Sequence, residues 1–421
     1  MDDLSKTEFL LTGYVTNNDT LYPNVKQLRA GEYLVFNKSK NELKLERYFE
    51  FRHRNFYELS EEDLVEELDK VYVNTVKRLI DSLQGRTAVI PLSGGHDSRL
   101  IAVMLKRLGY ENVICFTYGK PGNWESEISK EIADYLGYKW IFVPYTRKNQ
   151  YKMYNSSKRK EYSVFTDGLT SLPHIQDFYA VWKMKEKSLI HENSVFIPGH
   201  SGDFISGSYI PVWFLNKNKI SQDEVIKAIF NKYYSLWKWQ KNKKKLANEF
   251  SNKVMRIIGS NKNYTLEEAA NVYDFWDWQE LHAKFIVNSL RVYEFFGYEW
   301  RLPFWDNQMI KYWTRVSIKK RMRRYLYLEY VNKKLDYDLP EPNPKRSKIM
   351  RALDRINNPG YGRFVNCKSF LPICFTRVKH VITNFNSDIL EKDKLILLAN
   401  TNGLHTAKYF DDYIRNKDGG R

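Results

Sequence analysis

Two short segments contain the residue types that bind phosphate and a divalent cation. The first is Ser93–Ser98, which reads Ser-Gly-Gly-His-Asp-Ser, and the second is the glycine-containing run Gly199–Gly207. Glycines let the backbone approach an anion without a Cβ in the way, and free N–H groups at the start of a helix favour phosphate. Ser93 and Ser98 add hydroxyl donors. Asp97 would repel phosphate unless it holds a cation, so the first segment predicts Mg²⁺ between carboxylate and phosphate.

An alternation of strands and helices must position these two segments. The apolar run Thr87–Leu92 predicts a strand that ends at the first segment, and Leu100–Leu108 predicts the helix that follows it. Further strands are predicted at Asn112–Tyr118, Trp140–Val143 and Ser194–Pro198, and a further helix at Glu125–Leu136, ended by Gly137. This alternation is typical of an α/β fold with a parallel sheet and helices on both faces. Ligands of such sheets bind beyond the carboxyl ends of the strands, where both segments fall.

The regions outside this alternation are patterned differently. Short β segments are predicted in the first 50 or so residues, at Phe9–Leu11, Tyr33–Phe36 and Leu43–Tyr48, and Ser60 is expected to cap a helix. Residues 215–330 are mostly helical and very aromatic, which is more typical of a core than of a ligand site. The proline-rich segment Asp338–Pro344 predicts an extended connector, and the tail after residue 358 is poorly patterned. We therefore divide the chain into a β-rich part at 1–55 and a larger domain at 56–421.

Composition indicates a globular protein of two or three domains. The 421 residues carry a formal net charge of +17, with basic clusters at Lys241–Lys245, Lys319–Arg324 and Lys345–Lys348. Such a surplus could bind nucleic acid, an anionic membrane or a phosphate-rich substrate, or could be a solvated basic surface. No run approaches about 18 apolar residues and no secretory signal is recognisable, so a cytoplasmic location is expected. Three cysteines predict no disulfide framework, and Cys115 is expected to be a buried inert thiol.

The first segment resembles the loop of the PP-loop ATP pyrophosphatases. It is not a Walker A loop, which needs Gly-x-x-x-x-Gly-Lys-Ser/Thr. Enzymes with the PP-loop adenylate a carboxylate or carbonyl oxygen, release pyrophosphate and let an amine or sulfur nucleophile displace AMP. The resemblance therefore implies ATP and Mg²⁺ as cofactors and the sheet of the adenine nucleotide alpha hydrolases, with five parallel strands.

Four further segments resemble asparagine synthetase in their order and spacing. They are Cys115–Gly119 with the acidic helix after it, Pro198–Tyr209, Tyr298–Asp306, and Leu339-Pro340 followed by Arg346-Ser347-Lys348. The second of these matches Ser-Gly-Glu-Gly-Ser-Asp-Glu-x-Phe-Gly-Gly-Tyr at equal length, and the third matches Val-Glu-x-Arg-x-Pro-Phe-Leu-Asp. The resemblance covers roughly residues 60–350, and weakly residues 7–48.

The resemblance assigns roles residue by residue. The nucleotide-binding positions are Leu92, Ser93, Gly94, Gly95, Asp97, Ser98, Tyr118, Pro198 and Gly199. Asp97 and Asp203 are the implied carboxylates for Mg²⁺ and pyrophosphate, and Lys348 is the implied electrostatic stabiliser of the adenylation transition state. Lys348 could equally be a surface lysine of its basic cluster. Glu299, Arg301 and Asp306 are as consistent with organising the fold as with contacting a substrate.

This chain departs from the family in its N-terminal region. The family carries a glutaminase domain whose cysteine at position 2 attacks glutamine, whereas residue 2 here is Asp and Cys115 is the first cysteine. Residues Thr7–Val35 resemble only the closing strands of that domain. Nitrogen is then expected from free ammonia or a separate glutaminase subunit, or the acceptor is another amine, or the start codon is assigned wrongly.

The second segment also departs from the family, because His200 replaces a catalytic Glu and Phe204 replaces another acid. A neutral imidazole can still take a proton from an incoming amine, so His200 is a candidate base, with a structural role as the alternative. The substitution puts aspartate as the substrate in doubt. Relatives that diverge in this way act on sugar acids, on β-amino acids that close to β-lactams, or on peptide side chains that close to lasso rings.

The sequence as a whole predicts an ATP-dependent amide-forming ligase that adenylates a carboxylate and transfers ammonia or an amine to it. A tRNA-modifying PP-loop enzyme is an alternative that the positive charge would suit, although such enzymes usually carry the loop near the N-terminus. A degenerate ATP-binding subunit of a glutaminase partner is a second alternative. Nucleic acid is not the expected partner, because a small carboxylate and an amine donor account for the motifs.

Overall fold

A five-stranded parallel sheet lies at the centre of the computed structural model, which describes residues 1–173, 175–236 and 243–335. The strands in chain order are β1 (Glu32–Asn37), β2 (Glu42–Arg47), β3 (Ala88–Pro91), β4 (Val113–Gly119), β5 (Lys139–Pro144), β6 (Val195–Phe196), β7 (Ile220–Ser221), β8 (Asn263–Tyr264) and β9 (Glu299–Trp300). The central sheet has the order β5-β4-β3-β6-β9, while β1-β2 and β7-β8 form separate two-stranded antiparallel pairs. The expected α/β fold with a five-stranded parallel sheet is confirmed.

Helices occupy most of the remaining described chain. The α-helices are α1 (Asp3–Thr12), α2 (Glu61–Leu83), α3 (His96–Arg107), α4 (Trp124–Leu136), α5 (Arg147–Tyr154), α6 (Ser157–Phe165), α7 (Phe178–Glu186), α8 (Gly202–Ile205), α9 (Gln222–Tyr233), α10 (Lys243–Ile258), α11 (Leu266–Asp277), α12 (Arg291–Phe295), α13 (Asn307–Trp313), α14 (Ile318–Arg321) and α15 (Tyr325–Lys334). A π-helix (Trp278–Ile286) continues α11, and short 3₁₀ turns lie at Val212–Asn216, Asn288–Leu290, Pro303–Trp305 and Met322–Arg324. No helix of the described residues is long and apolar enough to cross a membrane.

The strand order creates a crevice between β3 and β6. The chain runs from β3 outward to β4 and β5, and then returns to place β6 on the other side of β3. The loops that follow β3 and β6 therefore leave the sheet at adjacent carboxyl ends but pass to different helices. Such a reversal of strand order is where open α/β sheets bind ligands.

Successive residues of the central strands face two different hydrophobic cores. In β3, Ala88 and Ile90 contact the core formed with α2, α3 and α11, whereas Val89 contacts the core formed with α7 and α12. Side chains of a strand alternate between its two faces, so a strand buried on both faces becomes a continuous apolar run. This is the reason that Thr87–Leu92 could be recognised as a central strand from sequence.

Most predicted elements are confirmed, with one clear error at the N-terminus. Phe9–Leu11 is part of helix α1 and not a β segment. The Asp2 carboxylate accepts a hydrogen bond from the Ser5 N–H and caps the helix, and Gly13 ends it with a left-handed φ of 89°. These two capping signals were readable in the sequence and outweigh the local apolar run. The predicted helix at Leu100–Leu108 also begins earlier, at His96, so Asp97 and Ser98 lie in its first turn.

The other predictions agree with the structure to within a few residues. The hairpin β1–β2 matches two of the predicted N-terminal β segments, and Ser60 caps α2, as its hydroxyl accepts a hydrogen bond from the Asp63 N–H. The region 215–330 is mainly helical. The connector at Asp338–Pro344 and the tail after 358 lie outside the described residues. The division of the chain at residue 55 stays a prediction, although residues of the N-terminal part join both cores, for example Phe9 and Phe51.

A buried ion pair ties the N-terminal helix to the helical region. The Glu8 side chain is fully buried, pairs with Lys253, and accepts hydrogen bonds from the Thr16 hydroxyl (2.7 Å) and the Tyr234 hydroxyl (2.8 Å). Both charges are removed from water, so the pair is stable only while each partner satisfies the other.

Replacing Glu8 with glutamine should destabilise the protein by about 3 kcal/mol, because it leaves the buried Lys253 ammonium with only the more exposed Asp19, at 3.3 Å, as its carboxylate partner. The free energy of unfolding from denaturant titration measures the effect. Glu111→Gln is the matched control: Glu111 pairs with Lys106 at 2.8 Å but is largely exposed, so its loss should cost less than about 1 kcal/mol. Equal costs for the two variants would contradict the assignment of a buried, interdependent network.

Candidate functional site

A cleft of about 470 Å³ opens at the carboxyl ends of β3 and β6. The two glycine-containing segments line it from the sheet side, Tyr118 at the end of β4 lines one flank, and His282 of the π-helix lines another. The cleft therefore forms at the reversal of strand order, where the fold predicts a ligand site. Nine of the twelve site residues predicted from sequence line it: Ser93, Gly95, Asp97, Ser98, Tyr118, Pro198, Gly199, His200 and Asp203.

The two segments touch each other through glycines. A Cβ added to Gly199 would lie 2.7 Å from the backbone nitrogen of Ser98, and a Cβ added to Gly202 would lie 2.8 Å from Oδ1 of Asp97. Neither distance is compatible with a side chain unless the segments separate. The spacing of glycines in the second segment is thus explained by its approach to the first turn of α3.

The first segment holds its own shape through its serines. The Ser98 hydroxyl accepts a hydrogen bond from the Ser93 N–H at 3.1 Å, and the Ser93 hydroxyl accepts one from the Gly95 N–H at 3.2 Å. Gly94 faces away from the cleft, where a Cβ would lie 2.7 Å from the indole ring of Trp124. The segment is therefore a preformed turn that opens onto the N-terminus of α3, which favours anions.

Two predicted site residues lie behind the cleft wall. Leu92 is fully buried and extends β3, with its N–H donating to the Phe116 carbonyl and its carbonyl accepting from the Thr117 hydroxyl. Gly94 packs under Trp124, as described above. Both shape the turn but do not line the cavity. Lys348, the predicted electrostatic stabiliser, lies outside the described residues.

Asp97 and Asp203 face the same cleft, and Arg324 forms an ion pair with Asp97. Burial raises the pKa of Asp97, the Arg324 guanidinium acts to lower it, and the negative charge of Asp203 raises it further. Asp203 accepts a hydrogen bond from the Phe204 N–H at 2.9 Å. Two carboxylates that repel each other across a polar cleft are an arrangement that a cation would stabilise.

Arg324 was not predicted as a site residue. It belongs to the basic cluster Lys319–Arg324, for which a solvated surface was one interpretation, yet Arg321 is 1% exposed and Arg324 is also mostly buried. Arg323 and Arg324 have φ values of 57° and 64°, and non-glycine residues adopt such values at a cost of order 1–3 kcal/mol. The Arg324 Nε also donates to the Ser206 hydroxyl at 3.1 Å. The kink is what brings the guanidinium to Asp97.

Tyr118 lines the cleft and is anchored by its side chain. Its hydroxyl donates to Oδ1 of Asp177 at 2.5 Å, and its ring stacks on Tyr145 with centroids 4.9 Å apart. Asp177 also accepts a hydrogen bond from the Tyr293 hydroxyl at 2.9 Å. Burial and the nearby Asp177 charge raise the pKa of Tyr118, so the phenol stays neutral. Sequence reasoning found Tyr118 but not Asp177, which lies in a segment without a recognisable motif.

The motif Tyr298–Asp306 forms ion pairs outside the cleft. The Arg301 guanidinium donates to Glu299 at 2.8 Å, and Glu299 also pairs with Arg86 at 2.7 Å. Asp306 accepts hydrogen bonds from Arg78 at 2.7 and 2.9 Å and caps α13. None of the three motif residues lines the cleft, so the structure favours the fold-organising role over substrate contact.

The residues of the second segment that depart from the family motif lie together. His200 lines the cleft. Phe204 is 1% exposed, and its ring stacks on the imidazole of His282 with centroids 4.1 Å apart. The apolar residue in place of an acid is therefore explained by packing against a buried histidine that sequence reasoning did not find.

A second buried histidine lies in the layer beneath Phe204. His53 packs edge-on against Phe51, whose ring lies 5.0 Å from that of Phe204, and its Nε2 lies 3.0 Å from Asp274. Burial and the Arg321 charge lower the pKa of His53 to about 4, although Asp274 opposes the shift. The unfolded chain therefore binds the proton more readily than the folded protein between about pH 6.5 and pH 4.

Stability should consequently fall as the pH decreases through that window. The stability that comes from keeping His53 neutral is fully present above about pH 6.5. Between pH 7 and pH 5 the free energy of unfolding should fall by about 2 kcal/mol, because the unfolded chain binds the proton at His53. His53→Gln removes this titration, so the free energy of unfolding of the variant should depend less steeply on pH over the same range. His191→Gln, at an exposed histidine, is the control and should leave the slope unchanged. Identical slopes for wild type and His53→Gln would contradict the prediction.

Comparison with known proteins identifies one family. The family model described as asparagine synthase matches residues 67–348, which is more than half of the chain and includes both glycine-containing segments. A search of curated proteins finds no match. The match spans every strand of the central sheet. The chain belongs to the asparagine synthase family, and thus in general terms to the ATP-dependent synthetases that form amide bonds.

Proposed function

We propose that this protein activates a carboxylate by adenylation, with release of pyrophosphate, and transfers ammonia or an amine to the activated carboxyl group. The observation that carries the proposal is that Asp97 and Asp203 line the same cleft. Their two loops touch at Gly199, where only glycine leaves enough room. An ATP triphosphate would lie along the first turn of α3, and the adenine would lie near the backbone of Tyr118.

Magnesium is the cation that these carboxylates would hold. Mg²⁺ is usually bound by one or two carboxylates together with phosphate oxygens and waters, and not by a protein cage. The described residues contain no cluster of three or more His, Cys, Asp or Glu that could hold a metal alone, which fits a cation that arrives with the nucleotide. When bound, Mg²⁺ would neutralise charge on the leaving pyrophosphate. Through its ion pair, Arg324 would favour the ionised form of Asp97 and hold the carboxylate in place for the cation.

Two predicted residues complete the proposal. Lys348 would stabilise the negative charge that develops in adenylation, by analogy with the family motif Arg-x-Lys. His200 belongs to the second segment and lines the cleft, where we expect the amine to approach the activated carboxyl group. The far end of the cleft, bounded by Tyr209 and Ile286, is the space we assign to the carboxylate substrate.

The one cysteine within the described residues, Cys115, is not placed to attack glutamine. Asp2 caps helix α1, so residue 2 has a structural role and is no nucleophile. Cys115 is fully buried in β4, and burial raises the pKa of its thiol to about 12, which supports the expected inert role. We therefore propose free ammonia, an amine substrate or a separate glutaminase subunit as the source.

The proposal is tested by ATP–pyrophosphate exchange with a panel of carboxylates. The panel contains L-aspartate, L-glutamate, uronic acids and β-amino acids, each with MgATP and labelled pyrophosphate. We expect one class to support exchange, and ammonium to convert the same compound to an amide with one AMP per turnover. ATP binding without exchange for any carboxylate would favour the degenerate subunit instead, and steeply salt-dependent tRNA binding would favour the tRNA-modifying class.

A further inference from the structure

Ser201 has a backbone conformation that is unusual for serine. Its φ is 70°, in the left-handed region, and at equal length the family motif has glycine at this position. The residue is 3% exposed and lines the cleft next to His200, and its Oγ lies 2.9 Å from Nδ1 of His282. Strained residues of this kind persist where the surrounding structure requires them, and they concentrate at functional sites.

His282 is brought to Ser201 by the π-helix. Residues five apart project about 140° from each other in an α-helix, because each residue turns by about 100°. In the wider π-helix (Trp278–Ile286) residues five apart come closer to the same side, and Nε2 of His282 lies 4.0 Å from Oδ1 of Asp277, the residue just before it. The Val287 N–H donates to the His282 carbonyl at 2.9 Å, five residues apart. Single π-turns inside helices are frequent at functional sites.

The imidazole is held in one orientation by rings around it. Phe204 stacks on one side at 4.1 Å, and the rings of Tyr209 and Trp305 lie 5.6 and 6.2 Å away. We assign the proton on the neutral imidazole to Nε2, toward Asp277, which leaves the lone pair of Nδ1 to accept the Ser201 hydroxyl. In this orientation the imidazole lies between the Ser201 hydroxyl at the cleft and the buried carboxyl group of Asp277.

The electrostatic environment keeps the His282 imidazole neutral in the resting protein, so the lone pair of Nδ1 can accept the Ser201 hydroxyl. Burial lowers the pKa of His282 well below its ordinary value, with Lys232 and His200 adding to the effect, so the imidazole is neutral near pH 7. Burial raises the pKa of Asp277 to about 8. Nε2 of His282 has no hydrogen-bond partner among the described residues, and the Tyr233 hydroxyl lies beside the Asp277 carboxyl group. With this raised pKa, Asp277 is largely protonated near pH 7, and a positive charge on His282 would stabilise its ionised form.

We propose that Ser201 and His282 carry away the proton of the amine that attacks the activated carboxyl group. This inference rests on the proposed function. The amine nitrogen forms a bond to the carbonyl carbon, and its surplus proton passes to Oγ of Ser201 while the serine proton passes to Nδ1 of His282. The bond between the carbonyl carbon and the AMP oxygen breaks, and its electron pair leaves on AMP. Ser201 is then the residue that contacts the amine, and His282 with Asp277 acts through it.

The two half-reactions separate this role from a structural one. Adenylation needs no amine, so Ser201→Gly and His282→Asn should keep ATP–pyrophosphate exchange within about twofold of wild type while amide formation from ammonium falls about 10²–10³-fold, the usual contribution of a positioned proton acceptor. Ser201→Gly relieves the left-handed strain and is expected to fold. Asparagine at 282 can still accept the serine hydrogen bond but cannot take its proton.

Matched controls and a second nucleophile sharpen the test. Ser260→Ala and His191→Asn change exposed residues of the same types away from the cleft and should leave both half-reactions unchanged. Hydroxylamine, which is unprotonated at neutral pH and a stronger nucleophile than ammonia, should restore most of the product formation in both site variants. Wild-type amide formation in both variants, or a parallel loss of exchange and amide formation, would overturn the proton-transfer role while leaving the proposed function standing. Absence of exchange in the wild type would instead overturn the proposed function itself.

Discussion

Replacing Asp97 with asparagine is expected to lower ATP–pyrophosphate exchange about 10³-fold, since each 1.36 kcal/mol of lost transition-state stabilisation is a factor of ten and a bound divalent cation supplies several kcal/mol. The amide has the size of the carboxylate but lacks the charge that faces Asp203 across the cleft. Calorimetric titration with MgATP should show correspondingly weaker binding. Exchange is measured with the carboxylate that the panel identifies.

The ion pair with Arg324 requires a second variant. Asp97→Asn leaves a mostly buried guanidinium without its carboxylate, which should also lower the free energy of unfolding by about 3 kcal/mol. The double variant Asp97→Asn/Arg324→Met removes both charges and should recover much of that stability. It should not recover exchange, because the metal-binding carboxylate is still absent.

Asp69→Asn provides the matched control for this experiment. Asp69 has a side-chain exposure of 15%, close to the 19% of Asp97, and it pairs with Arg107 away from the cleft. Its replacement should lower stability while exchange by the folded protein stays within about twofold, since distant sites act independently. If Asp97→Asn kept wild-type exchange, Asp97 would not be a metal-binding residue and the proposed site would be wrong.

Gly199→Ala is expected to lower exchange by about 10²-fold or more, because a displacement near 1 Å in an active site costs about that factor. Its Cβ would lie 2.7 Å from the Ser98 nitrogen and 3.0 Å from the Asp97 carbonyl carbon. Both are backbone atoms of the first turn of α3, so the two loops must separate. MgATP affinity, exchange and thermal unfolding measure the consequences together.

Two further glycine-to-alanine variants test whether the damage follows the closeness of the contact that an added Cβ would make. At Gly202 the nearest atom is the side-chain Oδ1 of Asp97 at 2.8 Å, which can rotate, so Gly202→Ala should lower the thermal stability less than Gly199→Ala, although turning the Asp97 carboxylate should still lower exchange. At Gly168 the nearest atom is 3.9 Å away and φ is not positive, so Gly168→Ala should be close to wild type. Exchange by Gly199→Ala equal to that of Gly168→Ala would mean that contact between the loops is not needed for the site.

Most of the fold could be predicted from local patterns. The strand at Thr87–Leu92 and the helix ended by Gly137 depend on residues close in sequence, and both are confirmed. The apolar runs are distinctive because central strands of a parallel sheet are buried on both faces. The error at Phe9–Leu11 has the same local origin, since a three-residue apolar run is too short to distinguish a strand from a helix.

The candidate site was predicted only where a motif marks it. Ser93–Ser98 and Asp203 follow strands that end at the same edge of the sheet. Their residue types and their order along the chain therefore predict a ligand site. Arg324 and His282 have no such motif, because each reaches the cleft through a backbone irregularity. The left-handed backbone at Arg323 and Arg324 places the Arg324 side chain at the cleft, and the π-helix places His282 there.

The sequence by itself therefore determined the α/β sheet, the two glycine-containing loops and the carboxylates that they carry. Tertiary structure alone decided which charges surround those carboxylates. Asp97 meets Arg324 across 227 positions and Ser201 meets His282 across 81 positions of the chain. Contacts so distant in sequence depend on packing, since neither residue type nor spacing encodes which side chains the folded chain brings together.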